Sequence, residues 1–192
     1  MNTALLLADY LISTNTLPSA IHFDTAKRLF FTHQIAKQNQ DNYGTDLLAI
    51  YALRLSLESR VRGLLGIDYA TNNGKSIGLA TLIEVSKNLK SVSYSADFNW
   101  TEIEWINEWL NHHMHRNIRS YTWVIYQAIE ALQSFLSPKK PLLIEGSTVY
   151  SFYNATCVHD EIELEKEIES TLRLKCPEIK IKWHSKREIL KP

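Results

Sequence analysis

The chain has few of the residues from which metal and nucleotide sites are usually built. It contains two cysteines, Cys157 and Cys176, which form no CxxC motif and have no metal-ligand spacing. It also has no GxxxxGK[ST] or GxGxxG phosphate loop, no HExxH zinc motif and no GxSxG nucleophile motif. The sequence therefore predicts no metal site, no cofactor and two reduced thiols.

An excess of charge of one sign and long apolar runs are also missing. Lysine plus arginine and aspartate plus glutamate each number 21. Proteins that hold nucleic acid mainly by neutralising phosphates carry a basic excess, so contact with nucleic acid would depend on a local patch. No apolar run approaches the roughly 20 residues of a membrane span. The apolar start at residues 5–8 lacks a basic lead and meets Asp9 at once. We expect a cytoplasmic protein without membrane contact.

Helical periodicity dominates the chain as far as Leu136, and a hydrophobic content of 45% can supply a core. Pro138 and Pro141 mark a boundary, beyond which β-prone segments flank a charged amphipathic helix. We predict a mainly α fold with a bundle of about six helices over 1–137 and a small C-terminal ββαβ appendage over 138–192. The predicted helices are at 3–12, 24–38, 45–65, 77–89, 101–116 and 122–135, and the tail has strands at 142–144 and 149–153, a helix at 160–174 and an edge-like strand at 179–183.

The helix predicted at 45–65 has the clearest pattern. Arg54, Glu58 and Arg62 follow one another at i,i+4 spacing, which favours ion pairs along one face. Gly66 suits the C-terminal end of this helix. The apolar stripe expected to face the core consists of Leu47, Leu48, Tyr51, Leu55, Val61, Leu64 and Leu65.

Two further helix starts carry capping signals. Asp24 is expected to cap the helix at 24–38, because its carboxylate can accept hydrogen bonds from the first backbone N–H groups. Thr101 and Glu104 have the spacing of a capping box. Both signals predict where a helix begins.

The most unusual stretch is residues 111–119, with the sequence NHHMHRNIR, in which three of the seven histidines fall within four residues. Histidine transfers protons near neutral pH, and arginine binds phosphate through a planar charged fork. These residue types suit metal-free RNA cleavage, in which the 2′-OH attacks, a histidine moves protons and an arginine stabilises the phosphorane. On a helix, Glu108, His112 and Arg116 would follow one another at steps of one turn, and His115 would lie beside them. The candidate catalytic residues are Arg116, His112 and His115, and the candidate substrate-binding residues are Asn117, Arg119 and His113.

A structural explanation of the same stretch stays open. His, Arg and Asn often gather at helix C-termini, where the helix dipole favours cations. The tryptophans Trp100, Trp105, Trp109 and Trp123 can stack bases, but at helical spacing they more often form a core or an interface. Three histidines so close together cannot all face one ion on a regular helix, which argues against a metal site.

The residues from about 45 to 135 resemble the HEPN superfamily of all-α domains. The resemblance rests on a long amphipathic helix containing residues 52–58, ALRLSLE, and on the pair Arg116–Asn117 at the head of a later helix. Many members of that superfamily are metal-independent endoribonucleases of toxin–antitoxin, abortive-infection and CRISPR systems. They carry an Arg, often followed by Asn, with a His a few residues further on, and two subunits bring two such motifs together.

This chain departs from that pattern after Arg116. Tyr121, Thr122 and Trp123 stand where the histidine is expected, and the histidines precede the arginine instead. A non-catalytic relative, a reversed order of His and Arg and a chance resemblance all stay open. Two functions follow: an RNA-directed, metal-independent endoribonuclease that forms a homodimer, or a non-catalytic helical module such as an antitoxin, an immunity protein or a complex subunit that binds a protein partner.

Overall fold

The protein is described by a computed structural model that covers residues 19–35, 43–94, 99–116, 118–136, 156–158 and 161–183. Most of these residues are helical, which confirms the predicted mainly α fold with a small β part. The helix expected at 3–12, the hairpin expected at 142–153 and the domain boundary expected at 138 lie outside the described residues. The elements are α1 (Ser19–Ile35), α2 (Tyr43–Leu65), β1 (Ile67–Asn72), β2 (Lys75–Ser76), α3 (Leu79–Lys87), β3 (Val92–Tyr94), α4 (Trp100–His115), α5 (Thr122–Leu136), β4 (Thr156–Val158), α6 (Glu161–Lys175) and β5 (Ile179–Trp183).

Helix α2 is the centre of the core and packs against α1, α3, α4 and α5. Leu53, Leu57 and Val61 on this helix are fully buried. The predicted stripe is wrong at Leu48 and Tyr51, which are 57% and 46% exposed. Apolar residues occur all round α2, so periodicity could not choose the faces that its neighbours cover.

Both predicted helix caps are wrong. Asp24 lies inside α1, which already includes Ser19, and its carboxylate pairs with Lys27 at 2.9 Å. Helix α4 is capped by Asn99, whose side-chain oxygen accepts a hydrogen bond from the Thr101 N–H at 2.9 Å. Asn is at least as strong an N-cap as Thr, so the earlier residue begins the helix.

Asn73 and Gly74 form the turn between two strands that sequence periodicity did not predict. Both residues have positive φ, 51° and 75°, as a tight two-residue hairpin turn requires. The turn connects β1 to β2, where Asn72 is paired with Lys75. Gly66 likewise has a φ of 67° at the end of α2, where its N–H donates to the Gly63 carbonyl at 3.2 Å.

The C-terminal strands pair with strands from the middle of the chain. Strand β5 runs antiparallel to β1 in a sheet of order β2-β1-β5, so among the described strands it lies at an edge, as predicted. Strand β4 runs antiparallel to β3, from Val92–Val158 to Tyr94–Thr156. Residues expected in separate domains therefore share both sheets.

Helix α6 joins the same core. It has one apolar face, whose residues are fully buried, and it ends within one residue of the predicted position. A salt bridge from Lys175 to Glu84 fastens its last turn to α3. The buried residues of α6 are Leu164, Ile168 and Leu172.

Candidate functional site

Helix α4 separates an apolar inner face from a polar outer face at the helical repeat of 3.6 residues per turn. The inner face is buried at Ile103, Ile106, Asn107, Leu110 and His113. The same repeat sets Trp105, Glu108, His112 and His115 side by side on the opposite face. Trp105 is 48% exposed, and His115 is exposed. The outer face therefore holds two of the three candidate catalytic residues.

His113 lies on the other side of α4 from His112 and His115. Its side chain is only 7% exposed, and its ring meets the Trp109 ring edge-on at 5.0 Å. Its Nδ1 is 3.1 Å from the Ile118 carbonyl oxygen. This contact fixes the path of the chain just after α4 and leaves little of the ring open to a substrate.

Arg116 ends the helix instead of continuing it. Its backbone is extended, with φ −133° and ψ 139°, and its N–H donates to the His112 carbonyl at 3.0 Å. The helix therefore ends one residue before its predicted end at Arg116, although the hydrogen bond of the Arg116 N–H still reaches back one turn to His112. The chain turns back at once, since the Ile118 N–H donates to the Arg116 carbonyl at 2.8 Å.

Among the remaining candidates, the pairing of Glu108 with His112 agrees with the sequence prediction. Glu108 Oε1 lies 3.8 Å from His112 Nε2, and the His112 side chain is 44% exposed. Arg116 and Arg119 are exposed on the segment that follows α4. Asn117 lies outside the described residues. The exposed cationic groups are thus grouped along the chain at one end of α4.

Two stacked aromatic pairs stand on either side of this segment in the sequence. Trp105 and Trp109 have centroids 6.4 Å apart and nearly parallel rings, with an interplanar angle of 9°. Tyr121 and Trp123 are also 6.4 Å apart, at 19°. Tyr121 is 73% and Trp123 61% exposed, so these rings are not core residues. By contrast, Trp100 is half-buried and packs on the Phe135 ring at 5.7 Å.

Sequence reasoning missed a residue of α2 that reaches α4. Arg54 donates from Nε to the Asn111 side-chain oxygen at 3.3 Å and from Nη1 to Glu58 Oε2 at 3.1 Å. Arg62 donates from Nε to Glu58 Oε1 at 2.9 Å, which confirms the predicted i,i+4 ion pairs. Burial lowers the pKa of Arg54, and the positive charge of Arg62 adds to that effect while Glu58 opposes it. Arg54 remains protonated at neutral pH, since the ordinary pKa of arginine lies far above neutrality.

A second polar site lies between α6 and the turn that follows α3. Glu167 accepts hydrogen bonds from the Lys90 N–H at 2.7 Å, the Ser91 N–H at 2.9 Å and the Ser91 hydroxyl at 2.5 Å. These three hydrogen bonds occupy both carboxylate oxygens and join α6 to the turn after α3. We call this set of contacts the clamp, and we assign it a structural role.

No metal centre is formed by the described part of the chain: there, no three His, Cys, Asp or Glu side chains are grouped so as to hold an ion. Of the helices in the described ranges, none is both long enough and apolar enough to cross a membrane. Comparison with models of protein families, with curated proteins and with solved structures found no match. The function has therefore to be inferred from the residues of this chain.

Proposed function

We propose that this chain is an RNA-directed protein whose contact surface is the C-terminal end of α4 and the segment that follows it. More particularly, we propose a HEPN-like, metal-independent endoribonuclease of the toxin or phage-defence type, acting as a homodimer. Arg116 would bind the scissile phosphate, and His112 and His115 would transfer protons.

The observation that carries the proposal is a segment with two exposed arginines that lies, in the sequence, between a partly buried and an exposed aromatic pair. His115, Arg116 and Arg119 are exposed, and this segment follows Trp105–Trp109 and precedes Tyr121–Trp123. Proteins that bind single-stranded RNA combine cations for the phosphates with aromatic rings that stack on bases, at about 1–3 kcal/mol per base. The arrangement provides both groups in one stretch of chain.

The chemistry requires only these side chains and the RNA. A histidine takes the proton of the 2′-OH as its oxygen attacks the phosphorus, and a second histidine gives a proton to the departing 5′-oxygen. The arginine stabilises the charge that develops on the phosphoryl oxygens. The products are a 2′,3′-cyclic phosphate and a 5′-hydroxyl.

A second candidate function is supported by the exposed rings themselves. Trp105, Tyr121 and Trp123 are large and largely apolar, and tryptophan and tyrosine are enriched at protein interfaces. A non-catalytic module, such as an antitoxin, an immunity protein or a complex subunit, would use them to bind a protein partner. Such a module needs no proton transfer by His112 or His115.

The experiment is cleavage of labelled total RNA by the full chain in EDTA. We expect cyclic-phosphate products from the wild type, and a loss of about a hundredfold or more in Arg116→Ala and in the double variant His112→Ala/His115→Ala. Arg173→Ala is the matched control, because Arg173 is an exposed arginine on α6 that pairs with Glu169. It should cut at the wild-type rate.

The outcomes separate the two functions. Equal cleavage by the Arg116 and histidine variants would rule out this active site, and an inactive wild type would rule out the nuclease. If the wild type binds RNA without cleaving it, and Arg116→Ala loses this binding, the protein is RNA-directed but is not a nuclease. If RNA is neither bound nor cut, the protein-interaction module becomes the better proposal.

A further inference from the structure

Arg54, Glu58 and Arg62 form a ladder of ion pairs along α2, and this ladder has two positive charges and one negative charge. Glu58 is the carboxylate that contacts both Arg54 and Arg62, so two guanidinium groups share one carboxylate. Both arginine side chains are only 17% exposed, and Glu58 is 32% exposed. Charges withdrawn from water in this way are costly unless they are fully paired.

The surplus charge is not matched by another described carboxylate at this position. Nη1 of Arg62 is buried and has no hydrogen-bond partner among the residues that the structure describes. Arg54 uses Nε for Asn111 and Nη1 for Glu58, which leaves Nη2 outside both contacts. An anionic ligand bound beside these arginines would supply the missing negative charge.

The position of the ladder connects it to the cationic end of α4. Asn111, to which Arg54 donates, is one helical turn before His115. Helical spacing also makes His115 the neighbour of Glu108 and His112 on the outer face of α4. Arg54 therefore approaches the proposed RNA surface from a different helix.

The two contacts of Arg54 also hold its guanidinium in one orientation. A planar arginine fixed at two of its nitrogens loses less side-chain entropy when it forms a further hydrogen bond than a free surface lysine would. Phosphate is the anion that such a fork binds well, through paired N–H···O bonds.

We propose that Arg54, oriented by Glu58 and Asn111, binds a phosphate group at the seam between α2 and α4. This proposal rests on the proposed function in that the phosphate would belong to the backbone of the RNA held at the end of α4. The same guanidinium chemistry would take a free phosphate, and the experiment distinguishes the two sources.

Binding is measured by fluorescence anisotropy with a short, labelled 2′-O-methyl oligonucleotide, which lacks the attacking hydroxyl and so cannot be cut. Arg54→Gln should weaken binding roughly tenfold or more, as expected when a hydrogen bond to a charged group is lost. It should also lower the slope of log Kd against log salt by about 0.7, the value for one phosphate contact on a single strand. Arg173→Gln, the control, should change neither quantity.

Glu58→Gln tests the sign of the effect and does not depend on the Arg54 variant folding well. Glutamine keeps an amide oxygen that can still accept from Arg54 Nη1 and so can preserve the orientation of Arg54, but it removes the negative charge that competes with a phosphate. The oligonucleotide should therefore bind more tightly than to the wild type. A purely structural ladder predicts no gain. Unchanged binding in Arg54→Gln would overturn the proposal, and so would the absence of a gain in Glu58→Gln.

Failure of this site and failure of the proposed function have different signatures. If Arg116→Ala abolishes oligonucleotide binding while Arg54→Gln matches its control, the RNA surface stands and the Arg54 site is wrong. If the wild type binds no oligonucleotide, inorganic phosphate is compared with chloride at equal ionic strength in thermal unfolding. A rise in Tm that Arg54→Gln loses would support a free-phosphate site, and no rise would overturn the site.

Discussion

Replacing Glu167 by glutamine tests how α6 is held to the rest of the chain. The wild-type carboxylate accepts the Lys90 N–H on Oε1, and the Ser91 N–H and hydroxyl on Oε2. Glutamine keeps the size and nearly the helix propensity of glutamate. It places an NH₂ donor where one of the two acceptor oxygens stood, so at least one of these hydrogen bonds must break.

The expected loss follows from the number and kind of contacts. A hydrogen bond to a charged group contributes about 1.5–3 kcal/mol when shielded from water. Glu167 is half-exposed, and solvent screens charge interactions at such sites. We therefore expect Glu167→Gln to lower the free energy of unfolding by about 1–2 kcal/mol, which for a chain of this size lowers Tm by about 2–8 °C.

The pH dependence gives a second and more specific signature. Burial by itself would raise the pKa of Glu167, but the hydrogen bonds from the Ser91 side chain and from the backbone of Lys90 and Ser91 outweigh it, and the pKa lies below its ordinary 4.5. A depressed pKa in the folded state stabilises the fold above the unfolded-state pKa, and this contribution is lost as pH falls through the folded-state pKa. The difference in the free energy of unfolding between the wild type and Glu167→Gln should be constant near neutral pH and should become smaller below pH 4.5.

Urea unfolding followed by circular dichroism measures both effects across a pH series. Glu130→Gln is the control, because Glu130 is an exposed glutamate in the middle of α5. If Glu167→Gln is as stable as Glu130→Gln at neutral pH, or if its deficit does not change with pH, the clamp does not stabilise the docking of α6.

Two further substitutions test the core and the hairpin turn. Leu53→Ala on α2 should lower the free energy of unfolding by about 2–5 kcal/mol. Leu174→Ala, at a side chain that is 86% exposed, should change it by less than about 0.5 kcal/mol. If urea unfolding shows similar effects for both variants, the assignment of the core is wrong. Gly74→Ala should destabilise by about 1 kcal/mol because its φ is +75°. Gly44→Ala, in the first turn of α2, should instead stabilise the protein by about 0.5 kcal/mol. Neither added Cβ would meet an atom within 4 Å, so the two variants differ in backbone conformation and not in steric contact. Equal shifts of Tm in thermal unfolding would show that the positive φ of Gly74 does not matter.

Local features of the fold were predictable because their causes lie within a few residues of sequence. Helix α2 ends at Leu65 as predicted, since Gly66 can adopt the positive φ that stops the helix. The ladder of Arg54, Glu58 and Arg62 was predictable for the same reason, because i,i+4 contacts depend only on helix geometry. The strands β1 and β3 were not predictable in this way, since each pairs with a strand from the far end of the chain.

The helical class, the extent of the strongest helices and the grouping of His112, His113, His115 and Arg116 in one stretch could all be predicted without the structure. Periodicity, turn chemistry and neighbour spacing are enough to produce these features. The folded chain was needed to show that His113 faces the core, that Arg116 leaves the helix and that Arg54 reaches Asn111 from 57 residues away. Those features depend on which helix faces are covered by which neighbours, and that choice is made by packing between segments distant in the chain.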